Sequence, residues 1–388
     1  MPNPFKPTAG KMPPIIIGRE NVVTDFAEGI ENGAGAPSRL MLISGQRGYG
    51  KTVLLVELAR VALSYGWKVV RQTASPGMCE RIVGALEGRL PHVSEASIEP
   101  SIDITGVAGA KLGHVSFEKT AALTVRDAIE RRLRRMDDGK GILFTIDETQ
   151  AASIDEMVAL ATALQEVIGD EDLRDVPDER KHGVAFVFAG LPSVVDDIVN
   201  ERVLTFLRRA VHHGLGDIPL PDVRNAYQAT VVDSGLAIDT DIAMEAARAS
   251  AGYPYMIQLV GYYMWQSAQR RRSHAIEACD VEQATADAAM VFLDAVCAPA
   301  YLGLTSAQQA FLRAMAPDWP EPSVVTEIAR RSGKSTAWAA AYRKSLIDAN
   351  VIEASGRGLV SYAIPHFGEY MEQITSAGDE PRFGRHRP

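Results

Sequence analysis

The chain has 388 residues, 46% of them hydrophobic and 23% charged, and a formal net charge of −9. That length and apolar content suffice for two or three domains with real cores, and they exclude a disordered or fibrous chain. The acidic balance excludes a protein that coats nucleic acid indiscriminately, although a local binding face is compatible with it.

The first segment, MPNPFKPTAGKMPP (1–14), is broken by prolines where a secretory signal would carry an apolar core. No apolar run approaches the length of a membrane span, so the chain reads as cytoplasmic, with no membrane partner. Cys79, Cys279 and Cys297 are odd in number and lack metal-ligand spacing. They read as buried free thiols, and no zinc site is expected.

From residue 15 to about 220, strand-like apolar runs alternate with amphipathic helical ones. The strand runs are RLMLIS (39–44), WKVVRQT (67–73), GILFTI (141–146) and VAFVFAG (184–190). Such alternation predicts an α/β domain, a parallel sheet flanked by helices. Between the second and third strands, 91–119 fits least well. Its alternation around two glycines suggests an added hairpin, read equally as a surface insertion or a partner-binding one.

The first strand run leads into GQRGYGKT, Gly45 to Thr52, followed by the helical VLLVELARVAL. Gly45, four residues, then Gly50, Lys51 and Thr52 is the P-loop spacing of a nucleotide-binding protein. Glycines let the backbone of Gly45, Gln46, Arg47, Gly48, Tyr49 and Gly50 curl so that N–H groups converge on phosphate oxygens at a helix N-terminus. Lys51 is placed to meet the β and γ phosphates of ATP, and the Thr52 hydroxyl to ligate Mg²⁺. An ordinary glycine turn is the bland alternative, and the flanking strand and helix weigh against it.

The third strand ends in Asp147 and Glu148. The carboxyl end of a parallel strand is where an open α/β sheet presents its ligand site. In that position Asp147 would hold Mg²⁺ through water and Glu148 would orient and polarise the attacking water. The bland alternative is a pair of acids capping the helix that starts near Ser153.

Residues 221–298 read as helical only, a small lid with a glycine stop at Gly252 before Pro254. From 303 to 372, three helical runs precede two short strands around a Gly-Arg-Gly turn, the pattern of a winged helix-turn-helix. Val324, Val325, Ile328 and Ala329, and then Trp338, Tyr342 and Leu346, recur at helical spacing as core positions. Lys334, Arg343, Lys344 and the turn residue Arg357 are the candidate contacts to double-stranded DNA. Ten Lys and Arg stand against nine acids from 303 to 388, so the motif supports DNA more than the charge does. Residues 373–388 have too few apolar groups to pack and read as a flexible tail.

Together these stretches resemble the AAA+ ATPases, in the branch similar to the archaeal and eukaryotic origin-recognition initiators. IIIGRE (15–20) is similar to the box before the first helix, GQRGYGKT to Walker A and ILFTIDE to Walker B. The resemblance continues through VFAGLPSVV, ERVLTFLRR, SAGYPYMIQLVG and the winged helix. It implies ATP and Mg²⁺ as cofactors, a homo-oligomer, and Ile17 and Gly18 against the adenine. Arg19 either joins them or merely starts the first helix. It also implies an arginine directed at a neighbour's nucleotide, for which Arg209 aligns better than Arg208, against the alternative of a solvated helix end.

Two departures from the family pattern bear on hydrolysis. The fourth strand ends Ala189, Gly190, Leu191, Pro192 without a polar sensor, and Tyr255 stands where the lid's second sensor is usually an arginine. Both absences imply slow or partner-dependent turnover. They are more similar to bacterial relatives, including helper ATPases of mobile elements. Two functions follow: an ATP-driven switch that acts on DNA through the winged helix, or a nucleotide switch whose winged helix binds a protein partner.

Overall fold

The computed structural model describes residues 2–8, 11–88, 114–192 and 205–376. It divides into two compact units, Met1–Thr230 and Val231–Pro388.

The first unit is a five-stranded parallel sheet flanked by helices. Its strands are β1 (Leu40–Gly45), β2 (Lys68–Thr73), β3 (Gly141–Asp147), β4 (Gly183–Gly190) and β5 (Val211–Leu215), in the spatial order β2-β3-β4-β1-β5. All of β4, GVAFVFAG, is buried, and so is β3 up to its last residue. A strand covered on both faces has no polar side, which is why these runs are continuously apolar. Helices α1 (Glu20–Glu31), α2 (Lys51–Ser64), α3 (Met78–Glu87), α4 (His114–Leu133) and α5 (Ile154–Asp172) complete the layers. Phe144, Phe186 and Phe188 form one core with Val125 and Ile129 of α4 and Leu160 and Leu164 of α5. At the start of α5 the Ser153 side chain accepts from the Glu156 amide. That is the N-cap expected near this residue, and it leaves Asp147 and Glu148 free of capping duty.

Two corrections belong to this unit. The sheet has a fifth strand, β5, that the pattern did not disclose. Its sequence VHHGL alternates exposure at the sheet edge and carries two histidines, so it lacks the apolar signature of the inner strands. Residues 114–119 begin α4 and are no part of a hairpin, while 91–113 lie outside the described residues.

The connecting helix α6 (Leu220–Asp233) leads into the second unit. There follow α7 (Thr240–Ser250), α8 (Pro254–Arg270), α9 (Ala278–Phe292) and α10 (Ala298–Leu302), the last two joined through a π turn at Leu293–Cys297. The segment 221–298, expected to be helical only, is not wholly so. Strands β6 (Ala237–Ile238) and β7 (Ala275–Ile276) pair in parallel, but two residues each are too few to show a period. Against the sequence expectation, the continuous run Ala278–Leu302 is long and apolar enough to cross a membrane by length and composition, although one such helix is weak evidence of a span. Its residues Val281, Ala284, Ala288 and Phe292 are buried within the unit, and Phe292 meets Tyr253 edge to face at 5.2 Å. Cys79 and Cys297 are buried, whereas Cys279 is exposed.

After α10 the chain forms α11 (Ser306–Met315), β8 (Ser323–Val324), α12 (Val325–Arg331), α13 (Thr336–Asp348), β9 (Ile352–Gly356), β10 (Leu359–Tyr362) and α14 (Phe367–Ser376). The three strands form an antiparallel sheet in the order β8-β10-β9. Val324 is a correction. It pairs with Leu359 in the sheet and is exposed, because it precedes the helix whose face it was expected to join. Ile328, Ala329 and Leu346 are buried, while Trp338 and Tyr342 are half-buried, with ring centroids 5.0 Å apart and planes inclined at 50°. The last helix continues to Ser376, past the expected start of the tail. Phe367 and Met371 bury its inner face, and 377–388 lie outside the described residues.

Candidate functional site

Strand β1 delivers the P-loop and β3 delivers the acid pair, both at the carboxyl edge of the sheet. Register sets their relation: Ser44 pairs with Gly190 of β4, and Thr73 with Asp147. Gly48 and Gly50 hold positive φ of 80° and 82°, and a Cβ at Gly50 would meet nothing. Backbone torsion, with no crowding, is what asks for glycine at Gly50. Gly45 and Tyr49 are buried, Gln46 is half-buried and Arg47 is exposed.

Lys51, the first residue of α2, is buried, and its Nζ donates to the carbonyls of Gly45 at 2.8 Å and Gln46 at 2.9 Å. Burial pushes its pKa down, while Glu148 and then Asp147 oppose that shift. Thr52 Oγ1 donates to Asp147 Oδ2 at 2.5 Å, which ties P-loop and acid strand together. Asp147 Oδ1 accepts from the Glu148 amide at 2.9 Å. Glu148 has φ 54°, a left-handed backbone that a non-glycine residue adopts at some cost. This outlier falls at the residue expected to orient water.

The donor set fits the expected group. A hydroxyl and a carboxylate in contact are hard oxygen ligands of the kind Mg²⁺ takes, beside a lysine already coordinated by carbonyl oxygens. Among the described residues no three His, Cys, Asp or Glu side chains gather elsewhere as a metal centre.

Ile17 is half-buried and Gly18 has φ 66°, with Ile218 against the place its Cβ would take, at 3.5 Å. Arg19 stands just before α1 and donates from Nη2 to the Gly216 carbonyl at 2.6 Å. It thereby fastens the entry strap to the segment after β5. Arg208 and Arg209 close a short 3₁₀ turn, Thr205–Arg209, and both are exposed. Residues 193–204 lie outside the described residues.

Sequence reasoning passed over two polar residues at this site. Gln150 Nε2 donates to Glu148 Oε2, and Thr149 is buried beside it. Neither carries a motif. Their only signal was position, one and two residues past the acid pair.

In the second unit the candidate DNA contacts are less uniform than the spacing implied. Lys334 and Arg357 are exposed. Arg343 is half-buried, with Nε lacking a hydrogen-bond partner, and Lys344 pairs with Asp348 at 2.7 Å. Arg330 is held by Glu327, and Arg331 by Asp318 at 2.7 Å as well as by Glu327 at 3.2 Å. Tyr255, at the expected second-sensor place, packs on Phe292 at 6.0 Å.

The chain has the AAA+ P-loop fold, as its similarity to a solved origin-recognition protein shows. The Aeropyrum pernix ORC2 protein, solved as ADPNP and ADP complexes, is similar over 96% of this chain and 97% of its own, at TM-score 0.62 and 13% identity. Looser similarity extends to the Aeropyrum pernix ORC1 protein in complex with DNA, at TM-score 0.48 and 18% identity over 94% of each chain. It extends also to the Thermotoga maritima RuvB Holliday junction branch migration motor, at TM-score 0.46 and 13% identity over 92% of this chain and 95% of that one. A family model described as a domain of unknown function (DUF8462) matches residues 294–371. No curated protein matches the sequence.

Proposed function

We propose that this chain binds ATP with Mg²⁺ at the P-loop, hydrolyses it slowly, and uses the bound nucleotide to control self-association and the engagement of double-stranded DNA by its C-terminal region. The observation that carries the reading is the Thr52–Asp147 hydrogen bond beside the buried Lys51, which joins a phosphate cradle to a carboxylate at one sheet edge. Lys51 would exchange its carbonyl partners for β and γ phosphate oxygens. Thr52 and Asp147 would hold Mg²⁺, which supplies charge neutralisation on the phosphates when bound. Glu148 would orient water for attack on the γ phosphorus. As the new P–O bond forms, the bond to the β-phosphate oxygen breaks, and ADP and inorganic phosphate leave. Arg209, exposed at its turn, would reach the nucleotide of a neighbouring copy. The organisation proposed is an entry segment 1–14, an ATPase core 15–220, a lid 221–298, a winged helix 303–372 and a tail 373–388.

The second reading has its own support. Lys344, Arg330 and Arg331 already face acidic partners, which favours a C-terminal region that docks an unidentified protein. Light scattering and fluorescence anisotropy on labelled duplex, each with and without ATP·Mg²⁺, separate the two. Coupled changes in both are expected. ATP-dependent association with no duplex binding at low salt would transfer the C-terminal region to the protein partner.

A further inference from the structure

We infer that Gln150 is a positioning residue for Glu148, its amide fixing that carboxylate from the turn that covers the side-chain-free end of β4. The inference rests on the hydrolysis reading above.

Strand order supplies the frame. β4 lies between β1 and β3, so its carboxyl end falls between the P-loop and the acid pair. That central end is Gly190, which has no side chain to offer. The 3₁₀ turn Thr149–Ala151 that follows Glu148 folds back over it. A Cβ on Gly190 would collide with Thr149 Oγ1, lie 3.3 Å from Thr149 Cβ and approach Gln150 Oε1 to 3.6 Å. The polar groups over the end of β4 therefore come from the acid strand's own turn.

Gln150 is connected to the reaction on one side and unpartnered on the other. Its Nε2 donates to Glu148 Oε2, while its Oε1 and Thr149 Oγ1 are buried without hydrogen-bond partners. A buried polar atom left unpaired is destabilising, so a packing role alone would favour an apolar residue here. Glu148 has the left-handed backbone of φ 54°, and its carboxylate needs an external anchor to take one orientation. A neutral amide suits that task, because it donates to the carboxylate without neutralising it. Glu148 thus keeps one oxygen on Gln150 and has the other for water.

Hydrolysis is measured on the full chain under single-turnover conditions, with protein in excess of ATP, alongside ATP affinity by titration. Gln150→Ala and the similarly long, donor-free Gln150→Met are both expected to slow the chemical step roughly 10- to 100-fold, the loss of one hydrogen bond to a charged group. ATP affinity stays within about two-fold, and neither change slows a Glu148→Gln background further, because Gln150 acts through that carboxylate. Three results overturn the inference: Gln150→Met turning over like the parent, affinity falling in step with rate, or Gln150→Ala slowing Glu148→Gln by the same factor as it slows the parent. Glu148→Gln as fast as the parent is a separate failure, and it removes the hydrolysis reading itself.

Discussion

The carboxyl edge of the sheet and the C-terminal helices with their hairpin use charge in opposite ways. At the sheet edge, Lys51, Thr52, Asp147, Glu148 and Gln150 are buried or half-buried and hydrogen-bonded to one another or to the surrounding loop. In the C-terminal region, Arg330, Arg331 and Lys344 lie on the surface and pair with acids of their own or the neighbouring element. A buried constellation of polar groups carries a desolvation cost that a ligand can offset, whereas surface ion pairs contribute little and exchange freely. The first arrangement points to a specific ligand. The second is compatible with DNA or with an acidic or mixed protein surface.

The sharpest way to break this contrast is Glu148→Gln, which keeps the shape and removes the charge that orients water. Turnover should fall about 10²- to 10⁴-fold, measured as phosphate release, with ATP still bound. A variant that retains the parent rate would detach the acid pair from the chemistry.

The C-terminal region should respond more weakly and by degrees. Arg357, exposed on the Gly-Arg-Gly turn, has no acidic partner among the ion pairs of the described residues, whereas Lys344 has Asp348. If duplex is bound, Arg357→Ala should reduce the slope of log affinity against log salt by about one, and Lys344→Ala by less, because its charge is already partly compensated. Equal effects, or an affinity indifferent to salt, would end the DNA reading. The smallest expected effect is on stability. Arg331 bridges α12 to Asp318 and holds that carboxyl below its ordinary range. A depressed carboxyl stabilises the folded state above its unfolded value near pH 4 and loses that contribution as the pH falls through the folded value. Arg331→Ala should therefore cost roughly 1 kcal/mol at neutral pH by denaturant titration, and less in acid.

What the sequence disclosed follows the same division. The spacing of Gly45, Gly50, Lys51 and Thr52 was legible because it is a fixed pattern of four residue types, and the structure hydrogen-bonds Thr52 to Asp147 at the same sheet edge. The inner strands were legible because burial on both faces leaves an unbroken apolar run. β5 was not, since an edge strand of VHHGL has no such run. Gln150 was not either: its role arises from Gly190, forty residues away in sequence, and only the sheet order brings the two together. Val324 went wrong because helical spacing was extended one residue into what proved to be a strand. The helices from 221 onward followed from pattern while the two-residue strands among them did not, and the Arg331–Asp318 pair depends on a tertiary neighbour whereas Arg330–Glu327 and Lys344–Asp348 are local to their helices.

ATP·Mg²⁺ titration of the parent and of Lys51→Ala is the most direct test that the sheet edge is a nucleotide site. The side chain removed is buried against the Gly45 and Gln46 carbonyls, contacts that phosphate oxygens would replace. Loss of a charge-assisted contact predicts affinity weakened by roughly 10- to 100-fold or more in a variant that keeps the parent's circular dichroism. A folded Lys51→Ala chain that binds ATP as tightly as the parent would contradict the account.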